Sequence, residues 1–325
     1  MAFYFTLSCL RSCVLLGCNC MYVYLATNSS KKKLAVLLQT DINIFKNISS
    51  ITNYKNFQVS KKGSSETRTI TAPQNEIKKL QSKVFKLLQK VSRPDWLISS
   101  QLGKSYIDNG KSHLDSKFLL TIDIKQFYDN CSREYVYNFF RFRLLTPPDI
   151  SKILTDIVTF EGGIPTGCPT SQVIAYYAYE NMFIDISNIA SKYGCTFSVY
   201  VDDMTLSSSH QFDYKKLTRE IDITLRKYKH LPKYKKIQYY NNNRAKPITG
   251  TIVSDDNILK VPNQLQHKII QDFDALKKMM SNDSSGFNEK EKQRIIRRLK
   301  GRLQAAKNIN PKIFPEINIF VNSIQ

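Results

Sequence analysis

Phe197-Ser198-Val199-Tyr200-Val201-Asp202-Asp203-Met204-Thr205-Leu206 sets two adjacent acids between two short apolar runs. Adjacent aspartates ordinarily mark a solvated turn. Here the flanks Val199-Tyr200-Val201 and Met204-Thr205-Leu206 are apolar enough to be buried, so the spacing predicts strands over Phe197–Val201 and Met204–Leu206 with the acids at their tip. Two carboxylates on a buried hairpin repel one another, and each is driven towards protonation unless a cation intervenes.

Upstream, Phe118-Leu119-Leu120-Thr121-Ile122-Asp123-Ile124 is nearly all apolar and ends in a third acid, the pattern of a buried central strand. Two such strand ends are readily joined across metal. Hard Mg²⁺ prefers oxygen ligands and sits on carboxylates plus substrate phosphates, with Mn²⁺ as an alternative. Two ions about 4 Å apart stabilise both the attacking and the leaving oxygen of an in-line phosphoryl transfer.

The rest of the chain alternates helices with hairpins. Lys33–Leu38 reads as a short helix. Phe57–Val59, a turn at Lys61–Ser65 and Arg68–Thr71 read as a hairpin. Ile77, Leu80, Val84, Leu87 and Leu88 recur at helical spacing within Asn75–Val91. Helices are expected over Tyr135–Leu145, stopped by Pro147-Pro148, over Ile150–Phe160 and over Ser171–Ile189, with a loop at Gly162–Gly167. This mixture predicts an α+β fold rather than a doubly wound one. The last third turns helical and basic. Gln264–Met280 and Asn288–Lys307 flank the polar stretch Ser281–Gly286, and Ile295, Leu299 and Leu303 form a stripe against Lys290, Lys292, Arg294, Arg297, Arg298, Lys300 and Arg302.

Lys and Arg number 48 against 27 Asp and Glu, a net charge of +21 over 325 residues. An excess that large implies a polyanionic partner, nucleic acid before an anionic membrane surface. With this charge, the acids favour polymerisation or cleavage of nucleic acid over small-molecule phosphate chemistry. The cysteines number seven, with no Cys-x-x-Cys pair spaced for zinc, which fits free thiols in a reducing compartment. The apolar start, Met1–Ala26 with Arg11 its one charge, lacks the basic region of an export signal and an unbroken membrane span. It reads as a buried segment or, with translation starting at Met21, as a stretch outside the mature chain. An export signal is the rival reading. Residues 1–31 are therefore set apart as an N-terminal extension.

Taken in order, Phe118–Asp129, Gly163–Gln172 and Tyr200–Asp203 resemble the successive palm motifs of reverse transcriptases, most closely those of bacterial retrons. Arg68-Thr69-Ile70 with Pro73 resembles the fingers motif. Asn109-Gly110-Lys111-Ser112-His113 resembles the retron Asn-Ala-x-x-His signature, and Pro247-Ile248-Thr249-Gly250 the Val-Thr-Gly signature. The resemblance covers about residues 32–305. It departs at Thr166, where many relatives have Gln, at Gln172 where Pro is common, at Gly110 for Ala, and at Val201 in place of Ala.

That resemblance implies a right-hand polymerase: fingers at 32–115, an antiparallel palm with helices at 116–255, and a helical RNA-binding thumb at 256–325. Asp123, Asp202 and Asp203 would ligate two Mg²⁺ ions. Lys236 would neutralise or protonate the leaving pyrophosphate, and Arg68 would hold the incoming triphosphate. Tyr128 would exclude a ribose 2′-OH, while Thr166, Gly167 and Pro169 would shape the loop beneath the nucleotide. Asn109 and His113 would serve RNA or subdomain packing, and Arg294, Arg297, Arg298 and Arg302 would grip RNA. The implied activity is cytoplasmic and bacterial. It copies part of a cognate non-coding RNA (msr-msd) from deoxynucleoside triphosphates into single-stranded DNA (msDNA), primed from an RNA 2′-OH. Implied partners are the RNA–DNA duplex, an anti-phage effector protein and host RNase H for template removal, without a membrane. Rival readings are a group II intron-like or diversity-generating reverse transcriptase, and a non-catalytic RNA-binding scaffold.

Overall fold

The computed structural model describes residues 30–60, 67–242, 244–281 and 289–324. The N-terminal segment with Cys9, Cys13, Cys18 and Cys20, the turn expected at Lys61–Ser65 and the polar stretch after Ser281 lie outside these residues. Among the described cysteines, Cys131, Cys168 and Cys195 are free thiols. The fold is α+β, in two compact units that each draw on separated parts of the chain. Of the described residues, one unit holds those up to Leu102 with Ile124–Ile189 and Arg219–Lys233; the other holds Gly103–Asp123, Ala190–Thr218 and those from Tyr234 onward.

In the first unit, β1 (Tyr54–Ser60) and β2 (Thr67–Pro73) pair antiparallel as the expected hairpin. Helix Asn75–Leu88 buries Ile77, Leu80, Val84 and Leu88, the stripe read from the sequence. It also buries Gln81, which is stable there because its Nε2 donates to Tyr54 Oη and to the Ile157 carbonyl, each at 2.9 Å. Helix Arg133–Asn138 runs into a π-helical turn at Phe139–Arg143. Pro148 does more than stop it: lacking an N–H that a first turn would leave unpaired, it opens helix Pro148–Val158. The single helix expected over Ser171–Ile189 is two, Ser171–Ala178 and Glu180–Lys192, interrupted at Tyr179 (φ −116°, ψ 21°).

In the second unit, β3 (Phe118–Asp123), β4 (Thr196–Tyr200), β5 (Asp203–Ser208) and β6 (Gln238–Tyr240) form an antiparallel sheet in the order β4-β5-β3-β6. The apolar run at 118–124 belongs there because β3 is interior, with Leu119, Leu120 and Ile122 fully buried. A smaller sheet, β7 (Lys246–Ile248), β8 (Thr251–Val253) and β9 (Leu259–Lys260), packs Ile248 and Val253 against Leu119. The terminal helices Asn263–Ser281, Glu289–Ile309 and Pro315–Ser323 share a core of Ile269, Leu276, Ile295, Leu299, Leu303 and Val321. Each such side chain contributes about 1.5–3 kcal/mol by leaving water.

Candidate active site

The acids meet by strand register. On the β3–β5 pair Asp123 lies opposite Asp203, and on the β4–β5 pair Tyr200 does, leaving Val201-Asp202 as a two-residue turn. Val201 has φ 62°, a left-handed conformation that such turns ordinarily give to glycine. A β-branched residue held there costs about 1–3 kcal/mol, sustained by the strands on either side.

Like charges directly opposite on paired strands repel. Burial, then Asp203 and Asp123, pushes the Asp202 carboxyl up to about 6. Burial, then Asp123, also raises Asp203, with Lys236 opposing. Lys236 comes from the 3₁₀ turn Tyr234–Lys236 and donates from Nζ to Asp123 Oδ2, a hydrogen bond that strengthens its hold on its proton. Three carboxylates thus share one ammonium.

Among the described residues no three or more His, Cys, Asp or Glu side chains are grouped so as to hold a metal ion as they stand. The donors are nonetheless all carboxylate oxygens, their charge is under-compensated, and Asp123 and Asp203 open on a cavity of about 250 Å³ also lined by Lys236, Gln238, Tyr240 and Thr249. That combination suits a hard divalent ion that completes its shell with water and phosphate.

Behind the hairpin runs a buried polar chain. Ser198 Oγ donates to Asn109 Oδ1 at 2.6 Å, and Asn109 Nδ2 donates to Thr249 Oγ1 at 3.0 Å. With its proton committed, Ser198 Oγ can only accept from His113 Nε2 (2.6 Å), so His113 Nδ1 accepts from Ser207 Oγ (2.7 Å). Ser198 is on β4 and Ser207 on β5, the strands that carry the acids. Asn109 and His113 are fully buried, which favours packing over RNA contact among the two roles the signature implied. They brace the hairpin that carries the acids, and join the two signature segments to each other. Gly110 is required at this contact, since a Cβ would lie 2.4 Å from Thr251 Oγ1.

Burial lowers the His113 imidazole from 6.5 to about 3. Below pH 6.5 the unfolded imidazole therefore takes up a proton that the folded one refuses until about pH 3. The stability His113 contributes is complete above that window and falls by about 1.4 kcal/mol per pH unit within it. Urea unfolding of the full chain at pH 7 and pH 5 checks this. The loss between them is expected to be about 2 kcal/mol smaller in His113→Gln than in the parent.

The candidate nucleotide-binding residues belong to the first unit. Arg68 is exposed on β2. Thr166 Oγ1 donates to the Thr69 carbonyl (3.2 Å) and accepts from Thr71 N–H (3.4 Å), while Gly167 N–H donates to the Thr71 carbonyl (3.1 Å). The loop is thereby tied to the strand bearing Arg68, and a Cβ at Gly167 would lie 2.7 Å from the Thr71 carbonyl oxygen. The Thr166 hydroxyl is thus engaged by backbone, a use the sequence did not disclose. Tyr128 is half-buried on the 3₁₀ turn Tyr128–Asn130.

The four arginines of helix Glu289–Ile309 divide. Arg298 makes hydrogen bonds to both carboxylate oxygens of the buried Asp272, the shortest 2.6 Å, and Arg302 pairs with Asp272 and the Lys268 carbonyl. These two fasten helix to helix, with Arg298 still exposed and Arg302 half-buried. Arg294 and Arg297 are exposed. No helix among the described residues is long and apolar enough to cross a membrane.

Residues 59–252 match the family model "Reverse transcriptase (RNA-dependent DNA polymerase)". The chain is 29% identical over 172 residues to the retron Se72 reverse transcriptase of Salmonella heidelberg (53% of this chain, 45% of that one). It is 31% identical over 157 residues to the retron Ec86 reverse transcriptase of Escherichia coli (48% and 49%). The match therefore spans about half the length of these relatives. Among solved structures, an apo telomerase from Candida tropicalis truncated from its C-terminal domain gives a TM-score of 0.47 at 12% identity, over 66% of this chain and 55% of that one. The family match covers more than half of the chain and includes all three aspartates and Lys236, so the chain belongs to the reverse transcriptase family, with that family's α+β right-hand polymerase fold.

Proposed function

We propose that the chain is a retron RNA-directed DNA polymerase. The observation that carries this reading is the convergence of Asp123, Asp202 and Asp203 on one sheet end with Lys236 as their counter-ion. The similarity to retron enzymes and the net charge of +21 support it. Residues 32–115 act as fingers, 116–255 as palm and 256–325 as thumb.

Bound to the three aspartates, a pair of Mg²⁺ ions, or Mn²⁺, supplies Lewis-acid stabilisation of the attacking and leaving oxygens. Everything else falls to the chain's own side chains. Asp123 gives up its hydrogen bond to Lys236 as substrate enters. Lys236 Nζ, charged and next to the acids, then delivers charge or a proton to the departing pyrophosphate. Arg68 forks onto the triphosphate, with the Thr166–Gly167 loop fixed beside its strand. Tyr128 closes the sugar side of the site against a 2′-OH. Arg294 and Arg297 contact RNA phosphates, in a salt-dependent manner.

The substrates are deoxynucleoside triphosphates and a cognate non-coding RNA, of which a segment is copied into single-stranded DNA from a 2′-OH primer. The product is a branched RNA–DNA in the bacterial cytoplasm. Host RNase H removes template, and an effector protein links the complex to anti-phage defence. Sequencing the 5′ junction of fresh product with and without debranching tests the priming. A 2′–5′ linked RNA nucleotide is expected at the junction, and a free DNA 5′ end on every molecule contradicts it.

A further inference from the structure

Tyr179 interrupts the long helix of the first unit, and its phenol does something the helix does not need. The oxygen accepts a hydrogen bond from Ser132 N–H (3.1 Å) and donates one to the Asn130 carbonyl (3.1 Å). Asn130 ends the short turn that begins at Tyr128, and Ser132 is the residue that caps the following helix Arg133–Asn138. The turn is closed by backbone: Lys125 N–H to the Leu231 carbonyl (2.8 Å), Asn130 N–H to the Gln126 carbonyl (3.1 Å) and Cys131 N–H to the Tyr128 carbonyl (3.1 Å). Beyond it, Ser132 bridges Gly163 and Arg133 N–H donates to the Gly162 carbonyl (2.9 Å), and the tyrosine adds the side-chain clamp on Asn130 and Ser132.

The ring that carries this hydroxyl has little freedom. Tyr179 is 1% exposed. It stacks on Tyr135 with centroids 4.6 Å apart and interplanar angle 17°, and meets His230 edge-on at 4.5 Å. It also touches Phe127, the neighbour of Tyr128, at 6.2 Å. A buried phenol with its donor and acceptor both used, and its ring wedged between aromatic neighbours, is a rigid strut. Burial pushes it up to about 12, so it keeps the proton it donates.

We propose that Tyr179 is a positioning residue for Tyr128: by clamping the 130–132 backbone it fixes the gate's height and thereby the selectivity for deoxyribonucleotides over ribonucleotides. This rests on the reading of Tyr128 as the sugar gate. A 2′-OH is one oxygen atom in size, so a gate free to move by a fraction of an ångström loses discrimination before it loses activity.

The clamp can be cut from either end. Tyr179→Phe removes the hydroxyl and keeps the ring. Ser132→Pro removes the N–H from the other side and keeps the tyrosine. Ser132 already has φ −85° and follows an extended Cys131 (φ −79°, ψ 108°), so proline fits the backbone. Tyr177→Phe is the control, deleting a buried hydroxyl that bonds the Val91 carbonyl, outside the gate turn.

The readout is the ratio of kcat/KM for dGTP to that for GTP, opposite template cytosine on an RNA template with a DNA primer, using the full chain. Tyr128→Val should lower the ratio by about 100-fold, and Tyr179→Phe and Ser132→Pro by about tenfold each, with kcat/KM for dGTP changed less than about threefold. Tyr177→Phe should leave the ratio unaltered. A purely structural role would lower both rates together and keep the ratio. If Tyr128→Val loses selectivity while Tyr179→Phe and Ser132→Pro retain it, the clamp is wrong. If Tyr128→Val retains it, the gate reading fails and the clamp with it. Should Tyr179→Phe not fold, Ser132→Pro decides alone.

Discussion

Asp202→Asn is expected to reduce DNA synthesis on an RNA template by at least about 1000-fold, equivalent to about 4 kcal/mol of transition-state stabilisation, while leaving RNA binding within about twofold. Asparagine keeps the shape of the turn but removes one of three anionic donors. The same substitution should stabilise the metal-free fold. The Asp202 carboxyl, ordinarily near 3.8, is raised to about 6 by burial and its acidic neighbours. The unfolded state therefore ionises it first, and stability is lost as pH rises from 3.8 towards 6. At pH 7 that penalty is about 2–3 kcal/mol, and asparagine abolishes it. Primer extension and chelator-treated thermal melts measure the two halves. Activity down with Tm up is the signature of a site held in tension for function. Loss of both would mark Asp202 as an ordinary structural residue.

Lys236→Ala should lower kcat by about 100-fold with little change in the apparent affinity for RNA, because in the proposed mechanism the lysine would act on the leaving group and not on the template. Its charge also faces the acids, hydrogen-bonded to Asp123 and opposing the upward shift of Asp202 and Asp203. Lys236→Arg separates the two roles. A guanidinium supplies charge but does not give up a proton, so arginine is expected to recover no more than about tenfold of the loss. Single-turnover incorporation rates distinguish these outcomes. Full activity in Lys236→Arg would assign the lysine to charge neutralisation alone, and full activity in Lys236→Ala would remove it from the chemistry.

The sheet that holds the acids was legible because its pattern is extreme. An apolar run such as Leu119–Ile122 has nowhere to go but a sheet interior, and an acid ending it has to be accounted for. The helix stripes at Ile77–Leu88 and Ile295–Leu303 were legible for the same reason. The short strands β6 to β9 were not, since two or three residues carry no period. The break at Tyr179 was hidden because no Gly or Pro marks it; at that residue the phenol hydroxyl is bonded to Ser132 and Asn130. For Asn109 and His113 the choice between RNA and packing stayed open in the sequence, because a signature shows that residues matter without showing to what. The clue lay in Ser198 and Ser207, polar residues on strands that should be buried, which need a partner inside. In the terminal helices, the buried Asp272 was the corresponding hint that two arginines, Arg298 and Arg302, would pair with it.

Anomalous scattering from Mn²⁺, in crystals of the full chain with its RNA and a non-hydrolysable deoxynucleotide, bears most directly on the shared metal site. The strongest peak is expected within about 2–2.5 Å of carboxylate oxygens from both Asp123 and Asp202, with Lys236 released from Asp123. A peak elsewhere, with Asp123 still bonded to Lys236 in the ternary complex, would contradict it.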